Sequence, residues 1–145
     1  APPERVKLSL DKLPWERMPE VIASADVGVA LYEDRGPNFT LIGSASSRLV
    51  DYLRHGLPVV VGDFPSLRRV VDESGCGRAL GDRDDLVQIL TELQRDYAAY
   101  RGAALDCYRR RYDARTHFPV LLEAVQRAAG EEKQRDNGAL PRGQA

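Results

Sequence analysis

Residues 38 to 62, NFTLIGSASSRLVDYLRHGLPVVVG, place a small-residue turn, an amphipathic helix, a glycine stop and an apolar run in one stretch. That succession commits the chain to a helix followed by a buried strand, and the rest of the fold has to support it. Gly43, Ser44, Ala45 and Ser46 read as too small and flexible to be packing residues, and they lead into a helix capped by Ser46 or Ser47. Leu49, Val50 and Leu53 recur at helical spacing as the inner stripe, which leaves Ser47, Arg48, Asp51 and His55 on the wetter side. Gly56 supplies a left-handed C-terminal cap, Arg54 and His55 suit the negative end of the helix dipole, and Pro58 prevents continuation into Val59, Val60 and Val61. The helix is expected to end at His55.

Arg48 breaks a local rule. A cation in the first turn faces the positive end of the helix dipole, at a cost of about 0.3 to 1 kcal/mol unless an anion is there too. Unpaired backbone N–H groups, a small-residue loop and an arginine make an anion site, for which phosphate is the usual occupant. The competing reading has Arg48 pairing with Asp51, three residues on, along a solvated face.

Asn38, then Gly43 with small residues after it, Ser46-Ser47-Arg48-Leu49, Tyr52-Leu53 and Gly56-Leu57-Pro58-Val59-Val60 form a pattern. It resembles the donor-binding, C-terminal half of GT-B fold glycosyltransferases, the large retaining family often numbered four. The likeness continues through ADVGVALYED upstream and FPSLRRVVDESGCGRAL downstream, and covers roughly residues 5 to 127. It implies donor-phosphate binding by Gly43, Ser44, Ala45, Ser46, Ser47 and Arg48, and ribose binding by Asp51. The family commonly has Lys at the Arg48 position and Glu at the Asp51 position, so both replacements keep charge and change reach. Many members carry a second Glu where this chain has Gly43; a subgroup reads Ile-Gly and small residues there, so that backbone amides replace the lost carboxylate. The turn after the first strand lies beside the base in that family, which puts Leu10, Asp11, Lys12 and Leu13 on the base side.

The remaining chain reads as an alternation of strands and helices. VKLSL, residues 6 to 10, is strand-like; a helix with Pro19 at its first position runs to about Ala25; VGVAL, residues 27 to 31, is the kind of run buried on both faces of a parallel sheet. Trp15, in the turn before that helix, reads as a core or turn-packing residue ahead of a base-stacking one. The loop 32 to 40 falls at the carboxyl end of a strand, where open α/β sheets bind ligands; its Glu33, Asp34 and Arg35 are a solvated tip or donor-sugar contacts. A helix from 65 to about 74 ends at Gly75 or Gly77 and leads to a short strand RAL. Asp82 or Asp84 caps the next helix, with Leu86, Ile89, Leu90 and Leu93 inward. Two more helices are expected near 97 to 112, with a ladder of Tyr97, Tyr100, Tyr108 and Tyr112, and near 115 to 129, where His117 is structural.

The expected architecture is an α/β, Rossmann-like three-layer domain, with a mostly parallel sheet of about four strands and C-terminal helices over residues 1 to 129, and a disordered tail over 130 to 145. A net charge of −1, with 30% charged residues of both signs, gives no field that would collect nucleic acid. Cys76 and Cys107 share no metal-like or redox-like spacing and read as isolated thiols of a reducing compartment. No stretch approaches the roughly 18 apolar residues of a membrane span, and the start has no signal-peptide plan. The expectation is a cytoplasmic-type domain whose membrane association, if any, is peripheral and through the full-length protein.

The resemblance implies binding of a nucleotide-diphosphate sugar for retaining hexosyl transfer, with no required metal or other cofactor. It also implies that the acceptor domain and the first strands of the half lie outside this chain, so that the chain alone does not transfer sugar and an open sheet edge awaits a partner domain or another chain. Two rivals stand beside it: a catalytically silent nucleotide-sugar-binding or interaction module, and an unrelated doubly wound domain that holds another phosphate ligand in the GSASS turn.

Overall fold

The computed structural model describes residues 12–33, 36, 41–82 and 85–137, with side chains to residue 130. The protein is α/β, with a three-stranded parallel sheet among the described residues and helices making up most of the rest. Strands β1 (Gly28–Ala30), β2 (Val59–Gly62) and β3 (Gly77–Leu80) lie in the order β1-β2-β3. The register pairs Val29 with Val60 and Val60 with Arg78. The expected strand VKLSL, which would have made four, lies outside the described residues.

Before β1 a 3-10 turn, Trp15–Arg17, runs into α1 (Met18–Ala23), where Pro19 takes the second position rather than the first. Between β1 and β2 come a single helical turn, α2 (Ile42–Ala45), and α3 (Ser47–Arg54); α4 (Pro65–Ser74) joins β2 to β3. Successive parallel neighbours need right-handed crossovers, and that puts α3 and α4 on one face of the sheet. The other face of β2 is covered by α5 (Leu86–Arg95), whose Ile89 and Leu93 form a buried cluster with Val60. Covered from both sides, Val59, Val60 and Val61 are wholly buried, each worth about 1.5–3 kcal/mol of apolar transfer.

β1 is not covered in the same way. Gly28 and Ala30, beside Val59 and Val61, are buried on the α3 side, but Val29 is 45% exposed and the following Leu31 44%. Of the apolar run predicted to be buried on both faces, Val27 packs against the cluster that α5 forms with Val60, while Val29 and Leu31 stay open to solvent.

Two further expectations about helix starts and stripes change. The cap of α5 is Asp85, whose carboxylate accepts from Val87 N at 2.8 Å, not Asp82 or Asp84. Leu86 and Leu90 are exposed, leaving Ile89 and Leu93 as the stripe that packs. The helix from Pro65 ends as expected at a left-handed Gly75.

Cys76 and Cys107 are free, buried and in contact. The thiol hydrogen bond between them, with burial added, pushes Cys76 above the usual thiol range. They are not the isolated pair their spacing suggested: β3 and α6 (Tyr97–Arg111) bring them together.

The chain divides into two compact units, Ala1–Tyr108 and Arg109–Ala145, a division that falls inside α6. In the second unit α7 (Ala114–Asn137) is preceded by Asp113, whose carboxylate accepts from Arg115 N, and His117 Nε2 lies 2.9 Å from Arg110 O. The helix runs on to Asn137, into the segment expected to be disordered, where EEKQRD is made of helix formers with alternating charge; residues 138–145 lie outside the described residues. No described helix is long and apolar enough to cross a membrane.

Candidate functional site

The site is built on α3. Ser46 is its N-cap, in extended conformation, with Oγ accepting from Leu49 N at 3.0 Å. The same oxygen lies 2.6 Å from the hydroxyl of Tyr32, which follows β1. Ser46 is buried and its side chain is occupied twice, so it fixes where the helix starts. At the other end Gly56, at φ 72°, turns the chain as the sequence predicts, and His55 is the C-cap.

The small-residue segment before Ser46 is helical rather than an open turn, and Gly43 is a packing residue after all. Its N–H donates to Ser66 Oγ at 3.0 Å, and a Cβ on it would stand 2.6 Å from Ser66 O. Ser44, Ala45, Ser47 and Arg48 are exposed, while Gly43 and Ser46 are not. The first N–H groups of α3, at Ser47 and Arg48, have no partner inside the helix.

Arg48 reaches Tyr32, its guanidinium 5.5 Å from the ring centroid, in place of the alternative pairing with Asp51. An exposed cation–π contact is worth about 0.5–1 kcal/mol, the same size as the dipole cost at this position. Arg48 therefore does not require an anion in order to be there. Tyr52, one turn further along α3, lies against Gly28, and burial raises its phenol above the ordinary value with the nearby Arg48 opposing.

Asp51 is half-buried on the same side of α3 as Arg48 and lies in the wall of a cavity of 180 Å³. Arg54 and His55 join it from α3; Trp15, Pro19 and Ile22 line the opposite side. His55 Nδ1 lies 2.8 Å from Asp51 O, and since a carbonyl only accepts, Nδ1 carries the proton. Trp15 is in the expected turn but 73% exposed, so it is not a core residue. Of the residues placed on the base side, Leu10 and Asp11 lie outside the described residues; Lys12 is exposed and Leu13 half-buried just before the Trp15 turn. Asp34 and Arg35 also lie outside, and Glu33 is exposed.

Three contributors were not singled out for the site from sequence. Tyr32 was readable only as the first residue of the loop after VGVAL; Arg54 and His55 were read as dipole partners, which hid their place in the cavity wall. Beyond β2, Asp63 hydrogen-bonds Arg68, which holds its carboxyl below the ordinary range. Among the described residues no group of three His, Cys, Asp or Glu side chains is placed to hold a metal ion. No protein-family model, curated protein or solved structure gives a significant match to this chain.

Proposed function

We propose that this chain is a Rossmann-like, donor-binding domain of a GT-B glycosyltransferase that binds a nucleotide-diphosphate sugar for retaining hexosyl transfer. The observation that carries the reading is the run of Arg48, Asp51 and His55 along one side of α3, with Asp51 in the wall of a cavity. From Arg48 to His55 is roughly 10 Å along the helix axis. That order suits a diphosphate at the N-terminal amides with Arg48 beside it, a ribose on Asp51, and a base beyond. The leaving diphosphate would be stabilised by preorganised amides, the helix dipole and Arg48, an electrostatic device that needs no metal. The sequence likeness supplies the sugar and the reaction; the fold alone would license neither.

One observation favours the silent, nucleotide-sugar-binding alternative. The position of the family's second carboxylate is Gly43, packed so closely on Ser66 that no side chain fits without moving α4. Sugar contacts there fall to backbone groups.

Titration calorimetry with UDP and GDP tests the reading. Binding of at least one is expected, and Arg48→Ala should weaken it by about 1.5–3 kcal/mol, the worth of a charge-assisted hydrogen bond. Equal affinity of wild type and variant, or no binding of either nucleotide, would sink it.

A further inference from the structure

We propose that Cys76 and Cys107 are a modification site for peroxide, two neighbouring thiols that close to a disulfide and staple α6 to the start of β3. A buried free cysteine is ordinary core packing. The chain's two cysteines, however, come from separate elements of one compact unit and meet side chain to side chain.

Their meeting is held from both sides. Cys76 follows the left-handed Gly75 at the end of α4; its N–H donates to Ser74 Oγ at 3.3 Å, and its carbonyl accepts from Val59 N at 3.1 Å, which ties it to β2. Cys107 lies inside α6, on the stripe that starts at Tyr100 and passes through the wholly buried Ala104. Tyr100 packs against the cluster of Val60, Ile89 and Leu93, and the guanidinium of Arg78 in β3 lies 5.9 Å from its ring centroid. A Cβ on Gly56 would stand 3.1 Å from Leu105 Cγ, so α6 also rests on the turn that ends α3. Two sulfurs fixed on such supports have a high effective concentration for each other, which favours joining over a second, irreversible oxidation of either.

Cys107 is 4% exposed and Cys76 wholly buried, and the hydrogen bond to Cys107, with burial, holds the Cys76 proton in place. Cys107 is therefore the thiol that meets the oxidant. Its thiolate attacks one oxygen of hydrogen peroxide, the O–O bond breaks, and the hydroxide that leaves takes up the proton Cys107 released, giving a sulfenic acid and water. The Cys76 sulfur then attacks the sulfenic sulfur. The S–S bond forms, the S–O bond breaks, and the departing hydroxide takes the Cys76 proton as a second water. Both thiols are oxidised and one peroxide is reduced to two waters; a thiol reductant reverses the link by exchange.

The full chain, first reduced, is treated with equimolar hydrogen peroxide below its unfolding temperature, then denatured, alkylated and weighed. Intact mass should show the loss of two hydrogens and no alkylated thiol, and a peptide map should join Cys76 to Cys107 within one chain. Dithiothreitol should restore both thiols. Because the link closes a loop of roughly thirty residues, the oxidised form should melt about 10 °C above the reduced one. Cys76→Ala should leave Cys107 as a sulfenic acid that dimedone traps, whereas Cys107→Ala should leave Cys76 unoxidised over the same time. Should either variant fail to fold, the mass and melting measurements on the unaltered chain decide alone. Thiols that stay reduced until the chain unfolds would overturn the proposal, as would sulfinic acid or links between chains in place of the internal one. A disulfide that lowers the melting temperature would overturn it too, since the native fold would then not place the two sulfurs to join.

Discussion

A Cβ on Gly43 would meet Ser66 O at 2.6 Å, Ser66 C at 2.7 Å and Leu67 N at 3.0 Å, all of them backbone atoms that cannot swing aside. Gly43→Ala should therefore force α2 from α4 and destabilise the fold by about 1–3 kcal/mol, the usual range for overpacking. The midpoint of urea unfolding measures it, and an unchanged midpoint would mean that α4 yields freely. From sequence, Gly43 looked like a flexible member of an anion-binding turn, because smallness reads the same whether it serves motion or close approach. Arg48 was legible as an anomaly but not its partner, since Tyr32 comes from the segment that follows β1. For the same reason the Cys76–Cys107 contact was invisible, a meeting that only the packing of α6 brings about.

At the scale of elements, α3 and α4 were readable because each carries its own stop signals: Ser46 and Gly56 bound one, Pro65 and Gly75 the other. The cap of α5 was ambiguous because GDRDD offers several aspartates, and only chain geometry selects Asp85. The burial of β1 was unreadable in principle, since an apolar run is the same whether one helix layer or two lies against it. Ser46 joins two elements, capping α3 and bonding Tyr32 at the end of β1. Ser46→Ala should cost about 0.5–2 kcal/mol for the lost cap, toward the upper end because the Tyr32 hydroxyl also loses its partner. Thermal unfolding checks it against Ser47→Ala, an exposed neighbour for which little change is expected. Equal losses at the two positions would show that the cap contributes nothing particular to Ser46.

Over the whole molecule, apolar burial is concentrated in the first unit. The fully buried side chains, Leu49, Leu53, Leu57, Leu67, Leu93 and the valines of β2 among them, all precede Tyr108. In α7, by contrast, every residue from 114 to 130 is exposed, including Phe118 at 59%, Leu121 at 59% and Val125 at 57%. A segment that buries nothing offsets none of the entropy of ordering it, whatever its helical propensity. A chain ending after Asp113 should then keep the cooperative unfolding of the full chain, with a Tm shift of less than about 4 °C, the size of 1 kcal/mol for a domain near this length. Asp113, 8% exposed, is kept as the last residue, and its carboxylate loses Arg115 with the cut. Differential scanning calorimetry of the two forms decides the matter. A larger fall in Tm would mean that α7 contributes to the stability of the folded chain, against the expectation.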